Sequence, residues 1–149
     1  MDVDALGLEI LSRPQCLRLM RRRTIGRVVL TIDGHPAAFP VNFALLDDDV
    51  VFRSAAGTKL SAASDGTILG FQVDRIDPVL QSGWSVLLQG PASLVTDPAE
   101  LERARRLGLR PSAPGDRPHF VRIRAERISG RRFLPLVHEL AQAFADRAG

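Results

Sequence analysis

The chain has 149 residues, of which 45% are hydrophobic and 25% are charged, a balance typical of one globular domain covering residues 1–149. No apolar run approaches the roughly 20 residues of a membrane-spanning helix, and the single cysteine excludes an internal disulfide and a cysteine-rich metal site. The formal net charge is only +3, which is weak support for a nucleic-acid partner.

The N-terminal segment predicts a short lead-in followed by a helix. Residues 1–10, MDVDALGLEI, are acidic and lack the basic start of a secretory signal, so we expect a cytoplasmic protein. Ser12 and Gln15 have the spacing of a capping box, and Pro14 is tolerated in a first helical turn. The helix is expected to end at the arginine run of residues 21–23, where positive charges suit the negative end of the dipole.

A β-hairpin is predicted next. The β-branched run at residues 25–32 indicates a strand, and Asp33-Gly34 is a strong hairpin turn signal. The return strand is expected over residues 37–46. Because proline cannot donate to a strand ladder, Pro36 and Pro40 favour an edge position or a bulge.

An acidic turn and two further strands follow. The aspartates at 47–49 lack the ligand spacing of an EF-hand calcium loop, so they predict a solvated turn. A third strand is expected over residues 50–53. Residues 55–64 predict a turn and a short helix, and residues 68–73 a fourth strand.

The remaining sequence predicts a long strand, a helix and a closing strand–helix pair. Residues 84–95 are strongly apolar, with Gly90-Pro91 as an expected bulge. Asp97 is expected to cap a second helix that runs to about Leu107. Residues 110–118 form a loop, 119–128 a strand, and a last helix begins at residue 133 or 135.

About six consecutive strands joined by tight turns imply antiparallel pairing. A sheet of that size avoids open edges by curling into a barrel. The predicted fold is therefore mainly β, an antiparallel split β-barrel with short flanking helices in a single domain.

One segment has the composition of an anion site. In Val51-Phe52-Arg53-Ser54-Ala55-Ala56-Gly57-Thr58-Lys59, a strand ends in a guanidinium and a hydroxyl, small residues follow, and Lys59 opens a helix. Lys59 is the only lysine beside 19 arginines. Arg53, Ser54, Thr58 and Lys59, with free N–H groups at the helix start, suit a phosphate. An ordinary strand–turn–helix with surface cations has the same composition.

Residues for metal binding and catalysis are not evident. His35, His119 and His138 are far apart in the sequence, and no carboxylate spacing completes a metal site, so none is predicted. Cys16 lies on the apolar side of a helix and is most simply a small buried hydrophobe. No catalytic acid or base can be named.

Several motifs occur in an order that is shared with a known family. They are Pro40-Val41-Asn42-Phe43, the segment from Val51 to Leu60, Phe71-Gln72-Val73-Asp74, Ser82-Gly83-Trp84-Ser85-Val86-Leu87-Leu88-Gln89-Gly90 and Ile128-Ser129-Gly130-Arg131-Arg132. Over residues 11–133 they resemble the pyridoxamine 5′-phosphate oxidase-like FMN-binding split-barrel family, in the small branch similar to nitroimidazole-resistance proteins. The resemblance implies a homodimer with FMN at the subunit interface.

The resemblance also implies which residues contact the cofactor. They are Pro40, Val41 and Asn42 at the edge of the isoalloxazine ring, Phe52, Arg53 and Ser54 under the ribityl chain, Thr58 and Lys59 at the phosphate, and Trp84 and Ser85 from the long strand. Backbone N–H groups near residues 41–43 are expected to hydrogen-bond the ring. Arg53 stands where relatives place a histidine, and Trp84 is equally explained as a core or interface aromatic.

The function implied is an FMN-dependent oxidoreductase acting on an unidentified small molecule. FAD and the deazaflavin F420 are alternative cofactors, and a non-catalytic flavin- or haem-binding protein is an alternative role. A true pyridoxamine phosphate oxidase is not expected, because the Arg-x-His motif of that enzyme has no counterpart after Ile128. A nucleic-acid-binding barrel is disfavoured, because the chain has no tyrosine and only 5% aromatic residues.

Overall fold

The computed structural model describes residues 2–54, 65–111, 119–133 and 144–148. The strands are β1 (Glu9–Ile10), β2 (Ile25–Ile32), β3 (His35–Asn42), β4 (Ala44–Leu46), β5 (Asp49–Ser54), β6 (Ile68–Asp77), β7 (Ser82–Leu94), β8 (His119–Ile123) and β9 (Arg127–Phe133). The helices are α1 (Arg13–Arg21) and α2 (Pro98–Arg105), and residues 144–148 are also helical. None of these helices has the length and apolar character needed to cross a bilayer.

The described strands form one curled antiparallel sheet. Its order is β3-β2-β6-β7-β8-β5-β4, and β9 pairs with β7 and β1. The 13-residue strand β7 joins the two halves of the sheet, because it pairs with β9 from Gly83 to Gln89 and with β8 from Ala92 to Leu94. This half-barrel confirms the predicted split-barrel fold.

The predicted capping box of α1 and the predicted hairpin turn at residues 33–34 are both confirmed. The Ser12 hydroxyl accepts the Gln15 N–H and the Gln15 side chain accepts the Ser12 N–H, which completes the capping box of α1. Asp33 and Gly34 both have positive φ, 50° and 77°, as a two-residue hairpin turn requires. Strand β3 lies at the edge of the sheet, where prolines are tolerated.

The predicted return strand over residues 37–46 is in fact two strands, β3 and β4. They separate at Phe43, whose side chain is buried in the core and whose N–H donates to the Thr24 carbonyl at 3.0 Å. β3 pairs with β2, whereas β4 pairs with β5 in the other half of the sheet. The chain therefore crosses between the halves at this point.

The predicted strand over residues 119–128 also divides, into β8 and β9. Here the Arg124 N–H donates to the Pro91 carbonyl and the Ala125 N–H to the Asp49 carboxylate. The β6–β7 register runs without interruption from Ile68–Pro91 through Leu69–Gly90 to Gly70–Gln89, so the expected bulge is absent there. Residues 90 and 91 instead mark the change of partner from β9 to β8.

Two other predicted boundaries differ from the structure, and two predicted helices begin outside the described residues. The fourth strand continues to Asp77, because its whole length pairs with β7. α2 ends at Arg105, just before the expected end at Leu107. The predicted short helix at 55–64 and the start of the predicted last helix fall outside the described residues.

The core lies inside the half-barrel and under α2. The larger cluster includes Phe43, Phe52 and Phe71 and is closed by Cys16 and Met20 of α1. The smaller cluster lies on the opposite face of β5 and β8, where α2 packs. The outward side of β2, β3, β6, β7 and β9, called the outer face below, is not covered by a helix in the described part of the chain.

Candidate functional site

A cleft of about 610 Å³ opens between the end of α1, the β3–β4 junction and the residues after α2. Its lining is polar at Arg21, Arg23, Thr24, Asn42 and Arg110, and apolar at Met20, Phe43, Ala44, Leu45, Leu107, Gly108 and Leu109. We call it the arginine cleft. Its volume lies within the roughly 300–1,000 Å³ common for small-molecule sites.

Two helix ends shape the arginine cleft. α1 ends at Arg21 and is closed by two backbone hydrogen bonds, from the Arg22 N–H to the Leu19 carbonyl and from the Arg23 N–H to the Met20 carbonyl. After α2, Gly108 adopts a left-handed φ of 66°, which ends the helical turn and directs the chain back across the sheet. The carbonyls of Leu109 and Arg110 thereby face the ends of β3 and β5.

Two of the predicted site residues hold this returning segment. The Asn42 amide donates to the Arg110 carbonyl at 3.3 Å, and Arg53 donates to the Leu109 carbonyl, also at 3.3 Å. The Arg53 guanidinium also lies 5.5 Å above the centre of the Phe120 ring, a cation–π contact. The structure therefore brings Asn42 and Arg53 against the same returning segment, and Asn42 also lines the cleft.

The arginine cleft is electropositive. Among the described residues, three arginines line it and no aspartate or glutamate does. Arg21 is neutralised by Asp48, with 2.7 Å between the guanidinium and the carboxylate. No described acidic residue forms an ion pair with Arg23 or Arg110 within 4.0 Å. In the part of the chain that the structure describes, two guanidinium groups without an ion pair therefore line the cleft, which favours an anionic ligand.

Asp47 and Asp49, in the acidic turn beside the cleft, form ion pairs with arginines that do not line it. Asp47 contacts Arg103 at 2.8 Å and Arg122 at 3.3 Å. The hydrogen bond from Arg103 holds the pKa of Asp47 below its ordinary value, so this carboxylate is ionised at neutral pH. Arg122 is also bound by Asp49 and Glu100, each at 2.8 Å. This cluster fixes α2, and with it the segment after α2, against the β4–β5 turn.

The outer face holds two more predicted site residues. Pro40 lies on β3 opposite Arg27 of β2, and Ser85 lies on β7. Arg27 donates to Gln72 at 2.8 Å, and Gln72 donates to Ser85 at 3.1 Å, so a polar network spans three strands. Ser85 also lines a shallow second cleft with Leu8, Leu87, Ser129, Gly130, Arg131 and Phe133.

The other described site residues point into the core. Phe52 is fully buried, and Val41, Ser54 and Trp84 are 6%, 4% and 9% exposed. Side-chain contacts between Phe52 and a ligand are therefore sterically blocked. The Phe43 N–H, expected to reach a flavin ring, is already bonded to the Thr24 carbonyl. Thr58 and Lys59 lie outside the described residues.

The sequence reasoning missed half of the arginine cleft. The arginine run at residues 21–23 predicts a helix end, and residues 107–110 predict a helix end and a loop, so neither segment indicates a ligand site. A glycine directly after an amphipathic helix, as at Gly108, does signal a turn. The sequence does not show which arginines form no ion pair, because the ion pairs join segments that are distant in the sequence.

Comparison with known proteins gives a consistent result. A family model described as pyridoxamine 5′-phosphate oxidase matches residues 12–132. An uncharacterized protein of Mycobacterium tuberculosis is 33% identical over 129 residues, which cover 83% of this chain and 84% of the relative.

Two solved structures are similar along most of their length. The FAD-binding protein from Mycobacterium smegmatis has a TM-score of 0.72 and 40% identity, covering 83% of this chain and 97% of that one. A conserved protein of unknown function from Corynebacterium diphtheriae has a TM-score of 0.72 and 35% identity, covering 85% and 98%.

Proposed function

The chain belongs to the pyridoxamine 5′-phosphate oxidase family, and from this premise we propose that it is a flavin-binding protein. The observation that carries the proposal is the arginine cleft, which Asn42 and three arginines line and whose Leu109 carbonyl accepts a hydrogen bond from Arg53. The solved relative at 40% identity is an FAD-binding protein, which supports a flavin over other cofactors.

The chemistry of the cleft fits a flavin. Leu45 and Leu109 offer an apolar surface for a ring, and Asn42 lies beside them in the lining. Flavins carry negatively charged phosphate, which the arginines complement. A bound flavin supplies hydride or electron transfer, while this chain supplies orientation and electrostatics. On that basis we extend the proposal to an FMN- or FAD-dependent oxidoreductase of a small molecule.

Fluorescence titration of the apo-protein with FMN and FAD tests flavin binding. We expect Lys59→Ala and Arg53→Ala each to weaken binding by about 1–3 kcal/mol, since each removes a charge-assisted hydrogen bond to the flavin. Arg22→Ala is the matched control, because Arg22 is exposed and does not line the cleft. A wild-type protein that quenches neither flavin would refute the proposal. Equal affinities for all four proteins would remove the proposed phosphate site.

We further propose that the protein is a homodimer that pairs through its outer face. This face presents Ile25 and Ile68, which are 58% and 59% exposed, around a polar centre. At that centre Arg27 lies 3.3 Å from Asp74. A two-fold axis would let Arg27 of one copy approach Asp74 of the other, the self-complementarity that such symmetry requires. The pairing would also bring Ser85 near a second chain.

The mass in solution tests the dimer. The expected value is twice the 16.3 kDa of one chain, measured by light scattering after size-exclusion chromatography. The double variant Ile25→Arg/Ile68→Arg should shift the mass to that of one chain, because it places charges in an apolar contact. Val79→Arg is the control, since Val79 is 78% exposed in the β6–β7 turn. A double variant that keeps the mass of two chains would exclude the outer face.

A further inference from the structure

We propose that the second cleft binds an uncharged, ring-shaped molecule through a carbonyl oxygen, and that Gln72 is a positioning residue that fixes the Ser85 hydroxyl as the hydrogen-bond donor to it. The second cleft shares no lining residue with the arginine cleft and lies along β7 and β9. The inference names a substrate class for the proposed oxidoreductase. It rests on the proposed function for the reaction but not for the binding.

The neighbours of Gln72 fix which way its amide points. The Arg27 guanidinium, which can only donate, lies 2.8 Å from Gln72 Oε1. The Asp74 carboxylate, which accepts when ionised, lies 2.7 Å from Gln72 Nε2. A flipped amide would set donor against donor at Arg27 and acceptor against acceptor at Asp74. The Gln72 nitrogen therefore also donates to Ser85 Oγ, at 3.1 Å.

This hydrogen bond determines what the Ser85 hydroxyl can do. A serine hydroxyl has one proton to donate and lone pairs that accept. Because a lone pair of Ser85 Oγ faces the Gln72 N–H, the proton has to point elsewhere. None of the described residues accepts it, and Ser85 lines the second cleft. The cleft thus holds a donor of fixed direction, which suits an acceptor such as a carbonyl oxygen.

The rest of the lining favours a ring without charge. Leu8, Leu87 and Phe133 supply apolar surface, and the volume of about 420 Å³ lies within the range common for small-molecule sites. Among the described residues of the lining only Arg131 is charged, and its Nε lies 2.9 Å from the Asp4 carboxylate. An anion would have to compete with Asp4 for this cation, whereas an uncharged molecule leaves the ion pair intact.

Equilibrium dialysis with 1-tetralone and tetralin tests the site, because these two bicyclic molecules differ by one carbonyl group. We expect the wild-type protein to bind 1-tetralone more tightly than tetralin. Ser85→Ala should weaken 1-tetralone binding by about 3- to 10-fold, as the loss of one hydrogen bond, and should change tetralin binding by less than about two-fold. Ser85→Thr keeps a hydroxyl and should retain most of the affinity for 1-tetralone.

A double-mutant cycle tests the role of Gln72. Gln72→Leu frees the Ser85 hydroxyl to rotate and should weaken 1-tetralone binding by about 2- to 5-fold. In a Ser85→Ala background the same change should have almost no effect, since Gln72 acts through Ser85. Gln89→Leu is the matched control, because Gln89 is an exposed glutamine on the same side of β7 and does not line the cleft. Thermal melts establish that the variants remain folded.

Each outcome of these measurements has a distinct meaning. A preference for 1-tetralone that is lost in Ser85→Ala and coupled to Gln72 supports the inference. Wild-type protein that binds both molecules equally, or neither, would overturn it, and so would an unchanged affinity in Ser85→Ala. Additive losses in the double variant would overturn the positioning role of Gln72.

Competition with FMN separates this site from the proposed flavin site. Displacement of 1-tetralone by FMN would overturn the inference, because the second cleft would then hold the flavin ring itself. Binding of 1-tetralone that persists in the presence of FMN supports a separate site. A protein that binds 1-tetralone but neither FMN nor FAD would refute the proposed flavin binding and leave this site standing.

Discussion

Replacing Gly90 with alanine is expected to lower the free energy of unfolding by at least about 3 kcal/mol, because there is no room for a side chain. A Cβ at this position would lie 1.8 Å from the Arg124 carbonyl oxygen and 3.2 Å from the Glu126 nitrogen. These are backbone atoms, so a change of rotamer cannot relieve the contact. The strand or the β8–β9 connection must move.

Movement at this point affects both halves of the sheet. Gly90 lies where β7 leaves β9 and begins to pair with β8. The Arg124 N–H donates to the Pro91 carbonyl at 3.1 Å, which holds the β8–β9 connection against β7. Pushing the connection away would break this bond and disturb the pairing on either side. The close approach therefore explains why glycine stands here.

Urea denaturation followed by circular dichroism measures the effect. Gln89→Ala is the neighbouring control, since Gln89 is exposed on the same strand and its change should stay within about 0.5 kcal/mol. A Gly90→Ala protein as stable as the control would show that the β8–β9 connection relaxes freely. The assignment of residues 90 and 91 as a fixed switch point would then be wrong.

The fold was predictable wherever a signal is local. The capping box at Ser12 and the Asp33-Gly34 turn depend on neighbours within a few residues, and both were confirmed. The breaks at Phe43 and near Arg124 were missed. Each strand ends there because the next residues pair with a different strand. The alternation of hydrophobic residues predicts a strand but not which strand it pairs with.

The site was predictable in part for the same reason. Asn42 and Arg53 are predicted from local motifs, and the structure brings both against the segment after α2, through the Arg110 and Leu109 carbonyls. Arg23 and Arg110 are 87 positions apart in the sequence, and nothing local distinguishes them from the other arginines. They differ from the other arginines because the nearby aspartates form ion pairs elsewhere, Asp48 with Arg21 and Asp47 with Arg103. Only the folded chain shows these pairs.

Replacing Arg122 with methionine should lower the free energy of unfolding by about 2–4 kcal/mol, because it leaves carboxylates without their shared cation. The Arg122 side chain is 16% exposed and contacts Asp49 and Glu100, which are 19% and 30% exposed. Asp49 also accepts the Ala125 N–H at 2.9 Å. Removing the cation therefore loosens α2, the β4–β5 turn and the β8–β9 connection together.

Acid should remove part of the same stabilisation. The pKa of Asp47 is lowered in the folded protein, chiefly by Arg103, from an ordinary value of 3.8. A depressed folded pKa stabilises the fold at pH values above the unfolded pKa, and this contribution is lost as the pH falls through the folded pKa. Urea midpoints measured between neutral pH and pH values well below about 4 should therefore decline. Arg122→Met should decline less steeply, since Arg122 also lowers the pKa of Asp47.

Arg106→Met is the control for Arg122→Met, because it also replaces an arginine with methionine but leaves the carboxylate cluster around Arg122 intact. Arg106 is 76% exposed and pairs with Glu102 at 3.3 Å, so its removal should change stability by at most about 1 kcal/mol. Equal stability of Arg122→Met and Arg106→Met would show that the three-carboxylate cluster does not hold α2. If α2 is held as proposed, Arg122→Met should also weaken flavin binding, because the segment that carries Leu109 and Arg110 begins at the end of that helix.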